Sequence, residues 1–147
     1  MKLSRIRKLF FLHLANLPMP SRGWRARFFK WGGVTVLNPS KTFIGEGVAL
    51  DTNYPEDIII EEGVTITTRC IINAHFVEID DNYRRHYSRG KVVIKKGAYI
   101  GANTVITKPV TIGEYAIIGA SSVITKDIPA FEVWVGNPAR FLKKREQ

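Results

Sequence analysis

The chain has 147 residues and 45% hydrophobic content, which allows one domain with a substantial core. Its single cysteine, Cys70, excludes an intrachain disulfide. The net charge of +9 arises in the first third, where nine lysines and arginines and no acidic residue precede Glu46. The rest of the chain is neutral overall, which argues against a nucleic-acid-binding protein.

Residues 1–33 are predicted to form a basic helical segment. Apolar residues at intervals of three and four indicate an amphipathic helix over residues 1–17: Leu3, Ile6, Phe10, Leu14 and Leu17. Pro18 and Pro20 end this helix, and a second short helix around Trp24, Phe28 and Trp31 precedes Gly32 and Gly33. Either the helices cover an open end of the following β structure, or their basic surface makes a peripheral contact with an anionic membrane.

Isoleucine occupies every sixth position from residue 94 to residue 124: Ile94, Ile100, Ile106, Ile112, Ile118 and Ile124. Small or β-branched residues lie two places before the last five of these: Ala98, Thr104, Val110, Ala116 and Ser122. A period of six fits one side of a strand but not one face of a helix. One strand of this length is implausible, so the chain must turn at regular intervals. Glycine follows three of the isoleucines, which suggests corners with positive φ. Residues 34–130 are therefore predicted to form an all-β domain, a parallel β-helix of hexapeptide repeats.

Two interruptions and a tail flank the repeats. Residues 51–55 indicate a turn, and the charged and aromatic residues 76–91 indicate a loop excursion from the β-helix. His75 lies where a regular coil meets this excursion, so it borders a cleft. Pro129 ends the coils, and residues 131–147 form a C-terminal tail that contains Gly-Asn-Pro-Ala-Arg at 136–140. No metal is expected, because no second ligand accompanies His75.

The hexads, His75 and the Gly-Asn-Pro-Ala-Arg tail resemble the hexapeptide-repeat acyltransferases with a left-handed β-helix, especially those of the galactoside/maltose acetyltransferase and exopolysaccharide O-acetyltransferase type. The resemblance extends over about residues 34–145. It implies left-handed winding, acetyl-CoA as co-substrate, and a homotrimer with an active site in each groove between neighbouring subunits.

The resemblance also implies roles for individual residues. His75 matches the catalytic histidine, and Ala102 falls where a backbone N–H meets the acyl-CoA. The positions that match the family's coenzyme A site are Ala102, Gly119, Ala120, Thr125, Lys126, Arg140 and Lys143. The three cationic side chains in this set would pair with the coenzyme A phosphates.

The acceptor site is less well defined by the sequence. Candidates by position are Asn73, Asp51, Asn53, Tyr83 and Arg84. The second ring nitrogen of His75 needs an orienting group, which is either a backbone carbonyl or a carboxylate such as Glu78 or Asp80.

The predicted function is acetyl-CoA-dependent O-acetylation of a sugar hydroxyl, as in polysaccharide biosynthesis, with His75 as general base. The predicted location is cytoplasmic, at the inner face of the membrane where the basic segment touches lipid. The alternatives are N-acetylation of an amino sugar or amino acid on the same scaffold, and a non-catalytic β-helix interaction module.

Overall fold

The computed structural model describes residues 3–17 and 23–146. Two helices begin the chain: α1 (Leu3–Leu14) and α2 (Trp24–Trp31). Pro18 and Pro20, which are predicted to end the first helix, lie outside the described residues. Within the two described ranges no helix is both long and apolar enough to cross a bilayer.

Three sheets of short parallel strands form the three sides of a prism. The first side contains β1 (Thr35–Val36), β4 (Ile58–Ile60), β9 (Val92–Ile94) and β12 (Thr111–Ile112). The second contains β2 (Phe43–Ile44), β5 (Thr65–Ile66), β10 (Tyr99–Ile100), β13 (Ile117–Ile118) and β15 (Glu132–Val135). The third contains β3 (Ala49–Leu50), β6 (Ile71–Ile72), β11 (Val105–Ile106) and β14 (Val123–Ile124). From β1 to β14, consecutive strands of the prism lie on successive sides, so the chain returns to the same side after three of them.

The repeat isoleucines form the core of this prism. Isoleucines six residues apart lie on successive sides, and those three repeats apart are parallel partners: Ile94 with Ile112, Ile100 with Ile118, and Ile106 with Ile124. All six are fully buried. The isoleucines therefore stack in three columns, one for each side of the prism. Cys70 is buried among them.

The glycines after the repeat isoleucines allow neighbouring coils to pack closely, whereas the sequence predicts that they provide a positive φ at corners. Gly101 does not have the positive φ expected of a corner; φ is +59° at Asn103 and at Ser121, each two residues after a repeat glycine. A Cβ on Gly101 would lie 2.5 Å from the backbone nitrogen of Ala120 in the next coil. Glycine is needed there because the neighbouring backbone leaves no room for a side chain.

Two antiparallel hairpins are added to the prism. β7 (His75–Ile79) pairs with β8 (Arg85–Arg89), and β15 pairs with β16 (Arg140–Lys144). The first hairpin occupies the segment predicted as the loop excursion 76–91. Its charged side chains suggest a loop, but β-branched and aromatic residues such as Val77, Ile79 and Tyr87 favour strands.

The helices pack on the first coil. The buried cluster that fills the prism interior also includes residues of the helical segment: Ala26 and Phe29 of α2, Leu12 of α1, and Ala15 just after α1. The Arg25 guanidinium donates hydrogen bonds to the carbonyl oxygens of Ala15 at 2.8 Å and Ile44 at 3.2 Å. The side of the helices that carries these residues therefore covers the start of the prism. This is the first of the two roles predicted for the helices, that of covering an open end of the β structure.

Candidate active site

A histidine and an aspartate meet at the corner that follows the third side of the prism. Asp51 directly follows β3, and β3 and β6 run parallel with Leu50 opposite Ile72. The chain positions after these two strands therefore lie side by side, and Nδ1 of His75 hydrogen-bonds to Oδ2 of Asp51. The Asp51 side chain is 1% exposed and the His75 side chain is 31% exposed. A buried carboxylate thus holds one edge of an accessible imidazole.

Four donors converge on the Asp51 carboxylate. Oδ1 accepts hydrogen bonds from the backbone N–H groups of Asn53 at 2.9 Å and Tyr54 at 3.2 Å. Oδ2 accepts one from Ala74 at 3.0 Å, in addition to that from His75. Burial favours a higher pKa for Asp51, but the hydrogen bond from His75 and those from the backbone outweigh it and lower the pKa below its ordinary value of 3.8.

The ionised Asp51 determines the tautomer of His75. An ionised carboxylate can only accept hydrogen bonds, so Nδ1 of a neutral His75 must carry the proton. Nε2 then has a free lone pair, which is the arrangement that a general base requires.

Tyr54 packs against the imidazole, and Arg89 packs against Tyr54. The rings of Tyr54 and His75 meet edge to face, with centroids 5.4 Å apart. The Arg89 guanidinium carbon lies 4.2 Å from the centre of the Tyr54 ring, and its Nε donates to Asp57 at 2.8 Å. Arg89 is also the strand partner of His75 in the first hairpin. These contacts tie the hairpin base to the residue 51–57 turn and restrict the orientation of His75.

The lowered pKa of Asp51 predicts a specific pH dependence of stability. Ionised Asp51 contributes stability that is fully present above its ordinary pKa of 3.8 and is lost as pH falls through its lower folded-state pKa. The variant Asp51→Asn lacks this titration. In urea unfolding between about pH 5 and about pH 3, we expect the free energy of unfolding to fall more steeply for the natural protein than for the variant. Equal slopes would contradict the lowered pKa.

A second set of predicted site residues lies at the corner between the second and third sides. Ala102 and Ala120 are stacked in successive coils, and the N–H of Ser121 donates to the carbonyl oxygen of Ala102 at 2.7 Å. Among the described residues, the N–H groups of Ala102 and Ala120 have no hydrogen-bond acceptor. Gly119 is confined by Val135, whose Cγ1 would lie 2.6 Å from a Cβ at that position. This corner therefore offers small side chains and unpaired N–H donors to a narrow ligand.

The predicted cationic residues surround the C-terminal hairpin. Lys126 Nζ lies 4.9 Å from the centre of the Trp134 ring, and Thr125 precedes it, partly buried, after β14. The Arg140 guanidinium donates to the carbonyl oxygen of Ala139 at 3.1 Å. Lys143 pairs with Val133 across the hairpin and is exposed. These residues fit an anionic group, because Lys126, Arg140 and Lys143 form no ion pair within the described ranges.

Within one chain the two corners are apart. Ala102 stacks above Thr68, as the register of β5 with β10 and of β6 with β11 requires. His75 lies seven residues beyond Thr68, at the opposite edge of the third side, a separation on the order of 15 Å. Ala102 cannot therefore act beside His75 of the same chain. A site that uses both residues needs a second copy of the chain.

The predicted acceptor residues are divided between two places. Asn73 lies two residues before His75 at the same corner, and its N–H donates to Ile106 at 3.0 Å. Asn53 belongs to the turn that Asp51 caps. Tyr83 and Arg84 lie at the tip of the first hairpin, where both are exposed and the N–H of Arg84 donates to Asp80. The hairpin tip is about five strand residues from His75, roughly 15 Å.

The orienting group of His75 differs from both carboxylates suggested by the sequence. Asp80 Oδ2 is hydrogen-bonded to His86 Nε2 at 2.9 Å, and Glu78 pairs with His86 across the hairpin. Asp51 is 24 residues before His75, so only the pairing of β3 with β6 brings them together. The available signal was that the repeat is interrupted after residue 50 and again after residue 74, at equivalent points of two coils. No group of three or more metal-ligating side chains is present in the described part of the chain.

The structure thus combines parallel coils built from hexads with a histidine–aspartate pair at one edge. Residues 91–126 match the family described as "Bacterial transferase hexapeptide (six repeats)". Together with the relatives below, this match confirms the resemblance to hexapeptide-repeat acyltransferases.

Two curated relatives and one solved structure illustrate the similarity. A dTDP-3-amino-3,6-dideoxy-alpha-D-galactopyranose 3-N-acetyltransferase of Aneurinibacillus thermoaerophilus is 45% identical over 53 residues, 36% of this chain and 28% of that protein. The Bacillus subtilis (strain 168) protein named "Putative acetyltransferase YvoF" is 32% identical over 112 residues, 73% of this chain and 65% of its own length. The chain thus spans less than two thirds of either relative. A galactoside acetyltransferase in complex with coenzyme A shares the fold, with a TM-score of 0.71, 23% identity, and coverage of 97% of this chain and 81% of that one.

Proposed function

We propose that this protein transfers an acetyl group from acetyl-CoA to a hydroxyl group of a sugar, with His75 as general base. The observation that carries the proposal is the buried, ionised Asp51 that holds Nδ1 of His75 and leaves Nε2 free. A buried charge of this kind is costly unless it is fully hydrogen-bonded, and a pair of this geometry is typical of nucleophile activation.

His75 moves one proton in each half of the reaction. Nε2 accepts the proton of the acceptor hydroxyl while that oxygen forms a bond to the thioester carbonyl carbon. The imidazolium is stabilised by the Asp51 carboxylate, which stays ionised. When the carbon–sulfur bond breaks, Nε2 returns the proton to the departing thiolate. The products are the sugar ester and free coenzyme A.

Ala102 contributes its backbone N–H to the oxyanion that forms at the carbonyl oxygen. The unpaired N–H groups of Ala102 and Ala120 support this role, since donors of this kind stabilise developing negative charge. The remaining proposed coenzyme A residues are Gly119, Thr125, Lys126, Arg140 and Lys143. Small residues let the pantetheine arm approach the backbone, and the cations meet the phosphates.

The proposed assembly is a homotrimer whose sites lie between subunits. The separation of His75 from Ala102 within one chain supports it, because an adjacent copy would supply the missing corner. The proposed acceptor residues are Asn73, Tyr83 and Arg84. Because the hairpin tip is roughly 15 Å from the His75 corner of the same chain, Tyr83 and Arg84 would meet the acceptor beside Asn73 only if they come from a different subunit. The similarity to the galactoside acetyltransferase supports the left-handed winding and coenzyme A as ligand. The lone buried thiol of Cys70 agrees with the proposed cytoplasmic location.

The second candidate is N-acetylation of an amino sugar. The 45% identity over 53 residues to a 3-N-acetyltransferase favours it. The proposed coenzyme A site and the role of His75 are the same for both. An amine needs less activation than a hydroxyl, because a neutral amine is already a good nucleophile; the tightly held His75–Asp51 pair therefore favours the hydroxyl.

Acceptor-dependent release of coenzyme A thiol tests the function. We expect the protein to bind coenzyme A in calorimetry and to release thiol from acetyl-CoA with a hydroxyl sugar, giving an ester that mild base cleaves. An amide product formed only with amino sugars would replace O-acetylation by the second candidate. Absence of both coenzyme A binding and thiol release would leave the protein as a non-catalytic module and contradict the proposal.

A further inference from the structure

We propose that α1 and α2 bind the surface of an anionic lipid bilayer. The contact would be made by five aromatic and aliphatic side chains that we call the outer helical face: Ile6, Phe10, Phe11, Trp24 and Trp31. The proposal goes beyond acyl transfer and does not depend on it.

The helix α1 carries apolar residues on two opposite sides. Leu12 is buried in the cluster that covers the prism, and Ala15 just after the helix is buried with it. Ile6 and Phe10, one helical turn apart, lie on the other side, where they are 45% and 58% exposed. Ile6, Phe10 and Leu17 of the apolar stripe that the sequence pattern predicts are therefore exposed, and a different set of residues packs on the prism. An exposed stripe of this kind indicates a further contact.

The second helix extends this apolar surface. Phe10 contacts Phe11 with ring centroids 5.5 Å apart, and Phe11 contacts Trp31 of α2 at 5.4 Å. Trp31 in turn contacts Phe28, with ring centroids 5.5 Å apart, and Phe28 contacts Trp24 at 5.9 Å. Both tryptophans are exposed by more than 40%. Tryptophan combines an apolar ring with a polar N–H and is enriched at the boundary between lipid and water.

The charges around the outer helical face indicate a negatively charged occupant. Arg7 and Lys30 border a cavity of about 600 Å³ with Phe11 and Trp31. Among the described residues of both helices, only Lys8 forms an ion pair, with Glu56 at 3.2 Å. No acidic residue precedes Glu46. Anionic headgroups complement these charges, whereas a second copy of the chain would oppose like charges. With 12 residues, α1 would lie along the bilayer surface.

Co-sedimentation of the full chain with lipid vesicles tests the proposal. We expect the protein to bind vesicles that contain about one third phosphatidylglycerol at least ~10-fold more strongly than vesicles of phosphatidylcholine alone, and less strongly as salt is added. The double variant Ile6→Ser/Phe10→Ser should lower binding by about tenfold or more, because two exposed apolar side chains are removed. Arg7→Gln/Lys30→Gln should lower binding by about fivefold per charge, and only on anionic vesicles.

The matched control replaces one apolar and one basic residue that are exposed outside the two helices. Ile79 and Lys91 are also exposed, so Ile79→Ser/Lys91→Gln should bind vesicles as the natural protein does. Circular dichroism checks that each variant is folded. If the helix variants fail to fold, quenching of tryptophan fluorescence by brominated lipid provides the test. In Trp134→Phe the remaining tryptophans, Trp24 and Trp31, both belong to the outer helical face, so we expect brominated lipid to quench the emission of this variant.

Three results would overturn the proposal. The first is equal binding to neutral and anionic vesicles, and the second is unchanged binding by Ile6→Ser/Phe10→Ser. The third is self-association of the natural protein, without vesicle binding, that this double variant abolishes. That result would assign the outer helical face to a second copy of the chain.

Discussion

Replacing His75 by alanine is expected to lower kcat for acetyl transfer by about 10³-fold, which is typical of the loss of a general acid–base. The imidazole is the group that would both remove the hydroxyl proton and protonate the thiolate, so water would have to replace it in two steps. The side chain is 31% exposed, and its loss leaves the three backbone donors to Asp51 in place. We therefore expect the dissociation constant for coenzyme A, measured by calorimetry, to remain unchanged.

The structure offers a matched control for this variant. His86 also forms a histidine–aspartate pair, with Asp80, but both side chains are substantially exposed on the first hairpin. His86→Ala should change kcat by less than about twofold, because an exposed pair of this kind contributes little. Turnover by His75→Ala at the natural rate, or equal losses in both variants, would remove His75 from the mechanism.

Replacing Asp51 by asparagine is expected to lower kcat by about 10²- to 10³-fold. If the amide nitrogen occupies the position of Oδ2, it faces two donors, the Ala74 N–H and Nδ1–H of His75. His75 must then move its proton to Nε2, which can no longer act as base. If the amide is turned the other way, the N–H groups of Asn53 and Tyr54 lose their acceptor. Either orientation leaves a buried donor unpaired and costs about 1–3 kcal/mol of stability.

The kinetic signature separates orientation of the base from a loss of folding. In the folded Asp51→Asn variant, we expect KM for acetyl-CoA to stay unchanged while kcat falls, since the buried Asp51 carboxylate contacts His75 and backbone N–H groups and none of the proposed coenzyme A residues. Asp80→Asn, in the exposed pair, should retain kcat. A loss of activity in Asp51→Asn that follows only the fraction of unfolded protein would reduce Asp51 to a structural role.

The regular part of the chain could be predicted in detail from the sequence. Each hexad has the same local structure, in which one isoleucine is buried and one residue forms a corner. The burial predicted for Ile100 is therefore also predicted for Ile118. The purpose of the repeat glycines could not be predicted in this way. The distance from Gly101 to the Ala120 nitrogen depends on the stacking of one coil on the next.

The residues outside the repeat were harder to predict, and for a physical reason. His75 could be selected because it directly follows a regular coil, but its partner Asp51 could not, since nothing in the local sequence connects residues 24 positions apart. The hairpin at residues 75–89 differs from the predicted loop, because charged side chains outnumber the strand-forming residues of this segment.

Spacing along the chain was enough to predict the period of the coil, the buried isoleucines of the repeat and the place of the imidazole at the edge of a coil. Only the tertiary structure decided which carboxylate holds that imidazole and which side of α1 faces solvent. Both depend on how separate segments pack: β3 beside β6 in one case, and the first helix against the opening coil in the other.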